Sequence, residues 1–272
     1  MVNGSKEKKK YPVNAEMQKW LDYFDYSDKD MKVCLPNEIF QDLRNTICPT
    51  FGFSHKAFAY SFYYLSCYLY RNAKYGSIHP MRNLYSLQLI EFMYGDRKPI
   101  NYITKRNGLL DLMGYTTSEN DFPVTVEMEN GEWAGFTMYQ EQVEEVKKAL
   151  NIPRNFICKK PLKAFKRNSD SKFLDGTFYE YPNCHWIDFP IFAKCMSSGT
   201  KGFELFYVYS FLFAFSDYIN AKDKVYRSYL TTALDLYSKK TNQLLEKLCK
   251  LNLLRLESPT LLRYKIRESL NV

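Results

Sequence analysis

Apolar residues recur at Ile39, Leu43 and Ile47 with polar residues between them, which predicts an amphipathic helix over Asn37–Cys48 with Asn37 able to cap it. From Ser54 to Lys74 the apolar run is aromatic and almost continuous, the pattern of a helix buried on most sides. A further helix is predicted over Pro80–Tyr94, stopping at Gly95-Asp96, and a third over Ile100–Tyr115 with Gly114 as its C-terminal glycine. The period then shortens. FPVTVEM (122–128) and WAGFTMY (133–139) read as strands around Asn130-Gly131, the strongest short hairpin signal. Ahead of all this, residues 1–36 predict a tail and a short helix around Ala15–Phe24.

The same order returns in the second half. After a helix over Gln142–Leu150 the periodicity fades, and DFPIFAKCM opens a second unit near Ile187. An aromatic helix follows over Gly202–Ala221, then a segment over Tyr226–Leu236, then SKKTNQLLEKLCKLN (238–252) as a helix capped by Ser238. LLRLE (253–257) and LLRYKIRE (261–268) flank a turn at Ser258-Pro259-Thr260. Three anchors recur in order: Tyr60-Ser61-Phe62 with Tyr209-Ser210-Phe211, Asn72-Ala73-Lys74 with Asn220-Ala221-Lys222, and Asn107-Gly-Leu-Leu-Asp111 with Asn242-Gln-Leu-Leu-Glu246. An internal duplication explains them; coincidence in a chain rich in Tyr, Phe, Asn and Lys is the competing explanation.

Three helices closed by a β-hairpin make the winged-helix form of helix-turn-helix. The expected fold is therefore mainly α with small β-hairpins (α+β), as two tandem winged-helix domains, 37–140 and 187–272, joined by a basic connector at 141–186. In this form the third helix enters the major groove and the hairpin reaches phosphate or the minor groove. Thr104, Lys105, Arg106 and Asn107 supply polar groups near the start of the first such helix, and Ser238, Lys239, Lys240, Thr241, Asn242 and Gln243 do so in the second. Asn and Gln suit adenine, Arg and Lys suit guanine, and Ser and Thr suit phosphate. An exposed first turn of any amphipathic helix has the same look; the hairpin behind each helix favours DNA reading.

Charge sharpens the picture. The net charge is +8, with residues 1–150 carrying 18 Lys/Arg against 19 Asp/Glu and residues 151–272 carrying 20 against 11. A one-sided basic surplus points to a polyanion. Arg154, Lys159, Lys160, Lys163, Lys166 and Arg167 crowd the connector, and Arg255, Arg263, Lys265 and Arg267 load the second hairpin. The first hairpin has Glu127, Glu129, Glu132 and Glu141 instead, a poor phosphate contact. The second unit is thus expected to carry the phosphate affinity, leaving the first to read bases through its helix alone or to form a homodimer.

Other chemistry finds little support. The seven cysteines are odd in number and lack a CxxC, which suits reduced thiols in a cytoplasmic protein. Cys184-His185 is the one adjacent pair of soft ligands, and nothing completes a metal site around it. No phosphate-binding GxxxxGK[ST] loop occurs, the three histidines are dispersed, and neither an enzyme nor a cofactor is expected. MVNGSKEKKKY carries charge without an apolar region behind it, so no signal peptide is expected. The apolar stretch 205–216 is too short to span a bilayer.

On the repeat, on ITKRNGLLDLMGY and SKKTNQLLEKLCKLNLLRLE, and on the hairpins after them, the chain resembles the plasmid and phage replication initiators built from two winged-helix domains in tandem, over roughly residues 37–140 and 187–268. That resemblance implies a C-terminal domain that dominates binding to repeated origin sites, and an N-terminal one that dimerises and adds DNA contacts. The leading expectation is a sequence-specific binder of duplex DNA that initiates replication of a plasmid or other mobile element. A winged-helix transcriptional regulator acting on operator repeats is the alternative within the same chemistry. A helical protein-interaction adaptor is the alternative outside it.

Overall fold

Val33 and Leu35 are fully buried on strand β1 (Lys32–Pro36), and the chain turns at Asn37-Glu38 into helix α1 (Ile39–Thr46), which buries Ile39, Phe40 and Leu43. The computed structural model describes residues 32–47, 52–72, 93–94, 100–130, 132–150, 152, 156–163, 183–199, 201–215, 227–258 and 263–266. Helix α2 (Gly52–Asn72) is buried almost all round from Phe53 to Tyr70, as its aromatic run predicts. The helices predicted over 15–24 and over most of 80–94 lie outside the described residues.

The third predicted helix departs from expectation. Residues 100–115 are two single turns, α3 (Asn101–Thr104) and α4 (Leu109–Leu112), broken at Lys105–Gly108. Asn107 takes a left-handed φ of 53°, and a Cβ on Gly108 would lie 2.7–2.9 Å from the carbonyl oxygens of Lys105, Tyr102 and Ile103. Side chains then satisfy the backbone groups that the break frees. Asp111 accepts from the Asn107 N–H at 3.0 Å, and Lys159 donates to the Lys105 carbonyl at 2.9 Å.

Beyond the break come β2 (Thr116–Glu119), the antiparallel hairpin β3 (Pro123–Glu129) and β4 (Glu132–Met138), helix α5 (Glu144–Leu150) and β5 (Cys158–Pro161). The predicted first hairpin is thus present. The connector is more than a linker, because β5 pairs antiparallel with β2 and buries Cys158 and Lys159. Next is β6 (Cys184–Asp188), so the boundary expected at 186/187 falls inside a strand. Helices α6 (Phe189–Ser197), α7 (Gly202–Ala214), α8 (Arg227–Ala233) and α9 (Ser238–Lys250) follow, then the hairpin β7 (Leu254–Ser258) and β8 (Arg263–Ile266). The whole is mixed α+β, mostly helical, with small two-stranded antiparallel sheets. Among the described residues no helix is long and apolar enough to cross a membrane.

The repeat extends into the fold. Strand, short helix and aromatic helix occur as β1–α1–α2 and as β6–α6–α7, and both helix starts are offset by 150 residues (Ile39 to Phe189, Gly52 to Gly202). The equivalent strands pair with each other, antiparallel, with Cys34 opposite Trp186. Antiparallel pairing of like with like is what two copies related by a two-fold axis produce. The equivalent helices α2 and α7 also pack together. Tyr60 lies against Phe206 and Tyr207, and Tyr64 meets Phe206 edge-on with ring centroids 4.7 Å apart. One contiguous apolar core runs from Val33 to Leu254 and draws on both halves.

His185 marks the polar point of that core. Its Nδ1 lies 2.7 Å from Asn37 Oδ1 and its Nε2 lies 2.7 Å from the Tyr60 hydroxyl, the pair of contacts that a neutral imidazole makes. Asn37 therefore braces the two strands and does not cap α1, whose N-cap residue is Glu38. Burial pushes the His185 pKa down to about 3. The unfolded chain takes up a proton below about pH 6.5 that the folded chain refuses, so this contribution is complete above that pH and is lost as pH falls towards 3. By pH 5 the loss is about 2 kcal/mol, from roughly 1.5 units at 1.36 kcal/mol each. Chemical unfolding at pH 7.5 and pH 5 measures it. His55, also lowered, first by burial and then by the Lys201 charge, adds a loss of the same sign. His185→Gln isolates the main part: the variant is less stable at pH 7.5 but flatter with pH. An equally steep profile in the variant would remove His185 as the cause.

Candidate nucleic-acid interface

Helix α8 leads through the turn Leu234–Tyr237 into helix α9. The turn is held from within: the Leu234 N–H donates to the Leu230 carbonyl and the Leu236 N–H to the Thr231 carbonyl, at 3.0 and 2.9 Å. Leu234 and Leu236 are buried, and Asp235 between them takes a left-handed φ of 52°. Helix α9 buries Thr241, Leu244, Leu245 and Leu248 on one face. Ser238, Lys239, Gln243, Lys247 and Lys250 are exposed on the other. Its N-cap residue is Tyr237, two-thirds exposed, with no side-chain cap bond; Ser238 is the first helical residue and not the cap that its sequence suggests.

The first unit holds this turn in place. Asp235 accepts from Lys56 of α2 at 2.8 Å and from Arg44 of α1 at 3.1 Å. Partial burial works against its charge, but the Lys56 ammonium and the Arg44 guanidinium prevail and hold the carboxyl below the usual range. Below α9, the Glu204 carboxylate of α7 is 2 % exposed and is bound by Lys240 and by the Ser54 hydroxyl of α2. The orientation of α9 is therefore fixed by charges on α1, α2 and α7.

The residues expected to read DNA separate into groups. In α9, Ser238, Lys239 and Gln243 face solvent, and Lys239 has no ion-pair partner among the described residues. Lys240 is spent on Glu204. Thr241 is buried, its hydroxyl donating to the Tyr237 carbonyl at 3.3 Å, and Asn242 is half-buried with Oδ1 unpartnered among the described residues. Arg255 is exposed on β7 and lies in register with Lys265 on β8, while Arg263 is paired in register with Ser258. Arg267 lies outside the described residues.

In the first unit, Thr104 is buried at the end of α3, and Lys105, Arg106 and Asn107 are exposed in the break and not on a helix. Arg106 is tied to the Asn120 side chain, and Asn107 is committed to the left-handed turn. The polar first turn anticipated for a groove-reading helix is there a loop.

The connector's charge is also redistributed. Lys159 is 2 % exposed, with its ammonium 2.8 Å from both Asp111 carboxylate oxygens and 2.7 Å from the Ser118 hydroxyl. Lys160 pairs with Glu119. Lys163 pairs with Glu38 and lies 4.3 Å from the centre of the Tyr115 ring. These three lysines are paired with acids of the same chain and are not a free basic patch. Arg154, Lys166 and Arg167 lie outside the described residues.

Residues that the sequence left unassigned join α9. Lys247 and Lys250 continue its exposed face, and Lys201 stands across from them at the start of α7. The 3.6-residue period carries that signal, since Lys240, Gln243, Lys247 and Lys250 fall along one edge of the helix.

Among the described residues no group of three or more His, Cys, Asp or Glu could hold a metal ion. Cys184 and His185 are successive strand residues and so point to opposite faces of β6, and both His185 nitrogens are already engaged. No protein-family model, curated protein or solved structure matches the chain.

Proposed function

We propose that the protein binds double-stranded DNA sequence-specifically through α9, and that it initiates replication of a plasmid or other mobile element. One observation carries the reading: an amphipathic helix behind a tight turn pinned by buried Leu234 and Leu236, its exposed face made of Ser238, Lys239, Gln243, Lys247 and Lys250, backed by the basic hairpin β7–β8. That is the order and chemistry of a winged helix-turn-helix reader. Lys239 and Gln243 can reach base edges, while Arg255 and the hairpin lie towards phosphate. The first unit, with a broken third helix and an acidic hairpin, serves as platform and is the candidate homodimerisation unit. The two units are read as two copies of a winged-helix ancestor fused along β1–β6. Buried thiols at Cys67, Cys158 and Cys195, none of them in a disulfide, suit a reducing, cytoplasmic setting.

Selection of genomic fragments by the protein, followed by binding of variants to the enriched site, tests this. Direct repeats beside an AT-rich tract are expected; an inverted repeat over a promoter would make the protein a regulator instead. Lys239→Ala with Gln243→Ala is expected to cost about 1–3 kcal/mol for each lost base contact and to relax sequence preference. Lys105→Ala with Arg106→Ala is expected to cost less. Equal losses would move the reading function off α9. Lys240 is left intact because its ammonium holds Glu204.

A further inference from the structure

A groove of about 400 Å³ runs between the start of α7 and one edge of α9, lined by Lys201, Glu204, Lys240, Gln243, Lys247 and Lys250. We propose that this groove is a phosphate-backbone track, taking consecutive phosphodiester groups of one DNA strand lengthwise along α9. It rests on the DNA-binding reading for its ligand and adds Lys201, Lys247 and Lys250 to the contact set.

The residue spacing sets the geometry. Lys240, Gln243, Lys247 and Lys250 stand at i, i+3, i+7 and i+10, one edge of a helix that rises 1.5 Å per residue, so the row is about 15 Å long. Lys240 is held by Glu204, which leaves Lys247 and Lys250 on the row and Lys201 on the facing wall to meet neighbouring phosphates of one strand.

The electrostatics favour an anion. Glu204 forms the floor, but its charge is taken up by Lys240, with Ser54 also donating to it. Lys201 reaches Glu204 only at 3.6 Å and is more than half exposed. Lys247 and Lys250 have no ion-pair partner among the described residues. Against these three cations stands Glu246 at the outer edge, leaving the groove net positive. A point charge on a flexible stem is suited to phosphate and indifferent to base identity. The track therefore supplies affinity and register, while Lys239 and Gln243 supply sequence preference.

The test compares wild type with Lys201→Ala/Lys247→Ala/Lys250→Ala on a 30-bp duplex carrying the selected site and on a scrambled one, across salt concentrations. Each phosphate contact removed is expected to flatten the slope of log K against log salt by about 0.9, so by about 2.7 for the three, with the same fold-loss on both duplexes. Lys247→Gln/Lys250→Gln, which keeps side-chain length on an exposed face, is expected to give about two-thirds of that flattening. Unchanged slopes in both variants, with steep salt dependence in wild type, would overturn the track and leave DNA binding standing. A salt-insensitive wild type would overturn both. Loss on the selected duplex alone would make these lysines base readers and also overturn the track.

Discussion

Asp111→Ala is expected to destabilise the protein by about 3–5 kcal/mol, the usual cost of leaving a buried charge without its partner. The Lys159 ammonium has its side chain 3 % exposed and Asp111 9 %, so little water reaches the site to replace the lost carboxylate. The damage extends past the ion pair. Asp111 also accepts from the Thr116 and Ser118 hydroxyls, each at 2.6 Å, and from the Asn107 backbone. Burial alone would raise its pKa, yet the hydrogen bonds from Lys159, Ser118 and Thr116 hold it below the usual carboxylate range. Replacing both partners, as Asp111→Leu with Lys159→Met, is expected to recover much of the loss, because a buried pair exchanged for apolar side chains of similar volume is often neutral. Denaturant unfolding of wild type, both single variants and the double variant gives the coupling energy directly. A loss below about 1 kcal/mol in Asp111→Ala would mean that the pair is hydrated and that the loop at 105–108 is held by something else.

That ion pair also shows where sequence reasoning stopped. In the sequence Asp111 is one acid inside an amphipathic pattern, and Lys159 is one of a run of connector lysines. Nothing local to either tells that a strand from 158–161 will pair with one from 116–119 and bring them together. The same holds for β1 and β6, whose register joins Lys32 to Asp188. Short strands pairing at long range leave no periodic trace. What was legible was local and periodic: the amphipathic α1, the aromatic α2 and α7, the Asn-Gly hairpin, and the stripe of α9. The break in the third helix had a signal, the Asn107-Gly108 dipeptide, which marks turns. Gly114 offered a better-placed helix end and drew the helix through it.

The candidate site was legible to a similar degree. The exposed residues of α9 follow from its period, since a stripe of Leu244, Leu245 and Leu248 forces Lys239, Gln243, Lys247 and Lys250 outward. Which lysines are free could not follow from it. Lys240 differs from Lys239 only by facing Glu204, and Glu204 comes from another helix of the core.

The most direct measurement is the equilibrium binding of the full chain to a 30-bp duplex at several salt concentrations between 50 and 200 mM. Lys201, Lys247, Lys250 and Arg255 are the described exposed cations on or beside α9 that are assigned to phosphate, Lys239 being assigned to bases. If each of the four neutralises one phosphate, log K falls against log salt with a slope of about −3.6. Across that fourfold range of salt, affinity then drops by roughly 150-fold. Such a slope, with tighter binding to the selected site than to a scrambled one, is the result expected of a groove-reading helix on a basic platform. Affinity that is indifferent to salt, or absent on any duplex, would contradict DNA binding by α9 and leave the aromatic, tightly packed chain to be read as a protein-interaction adaptor.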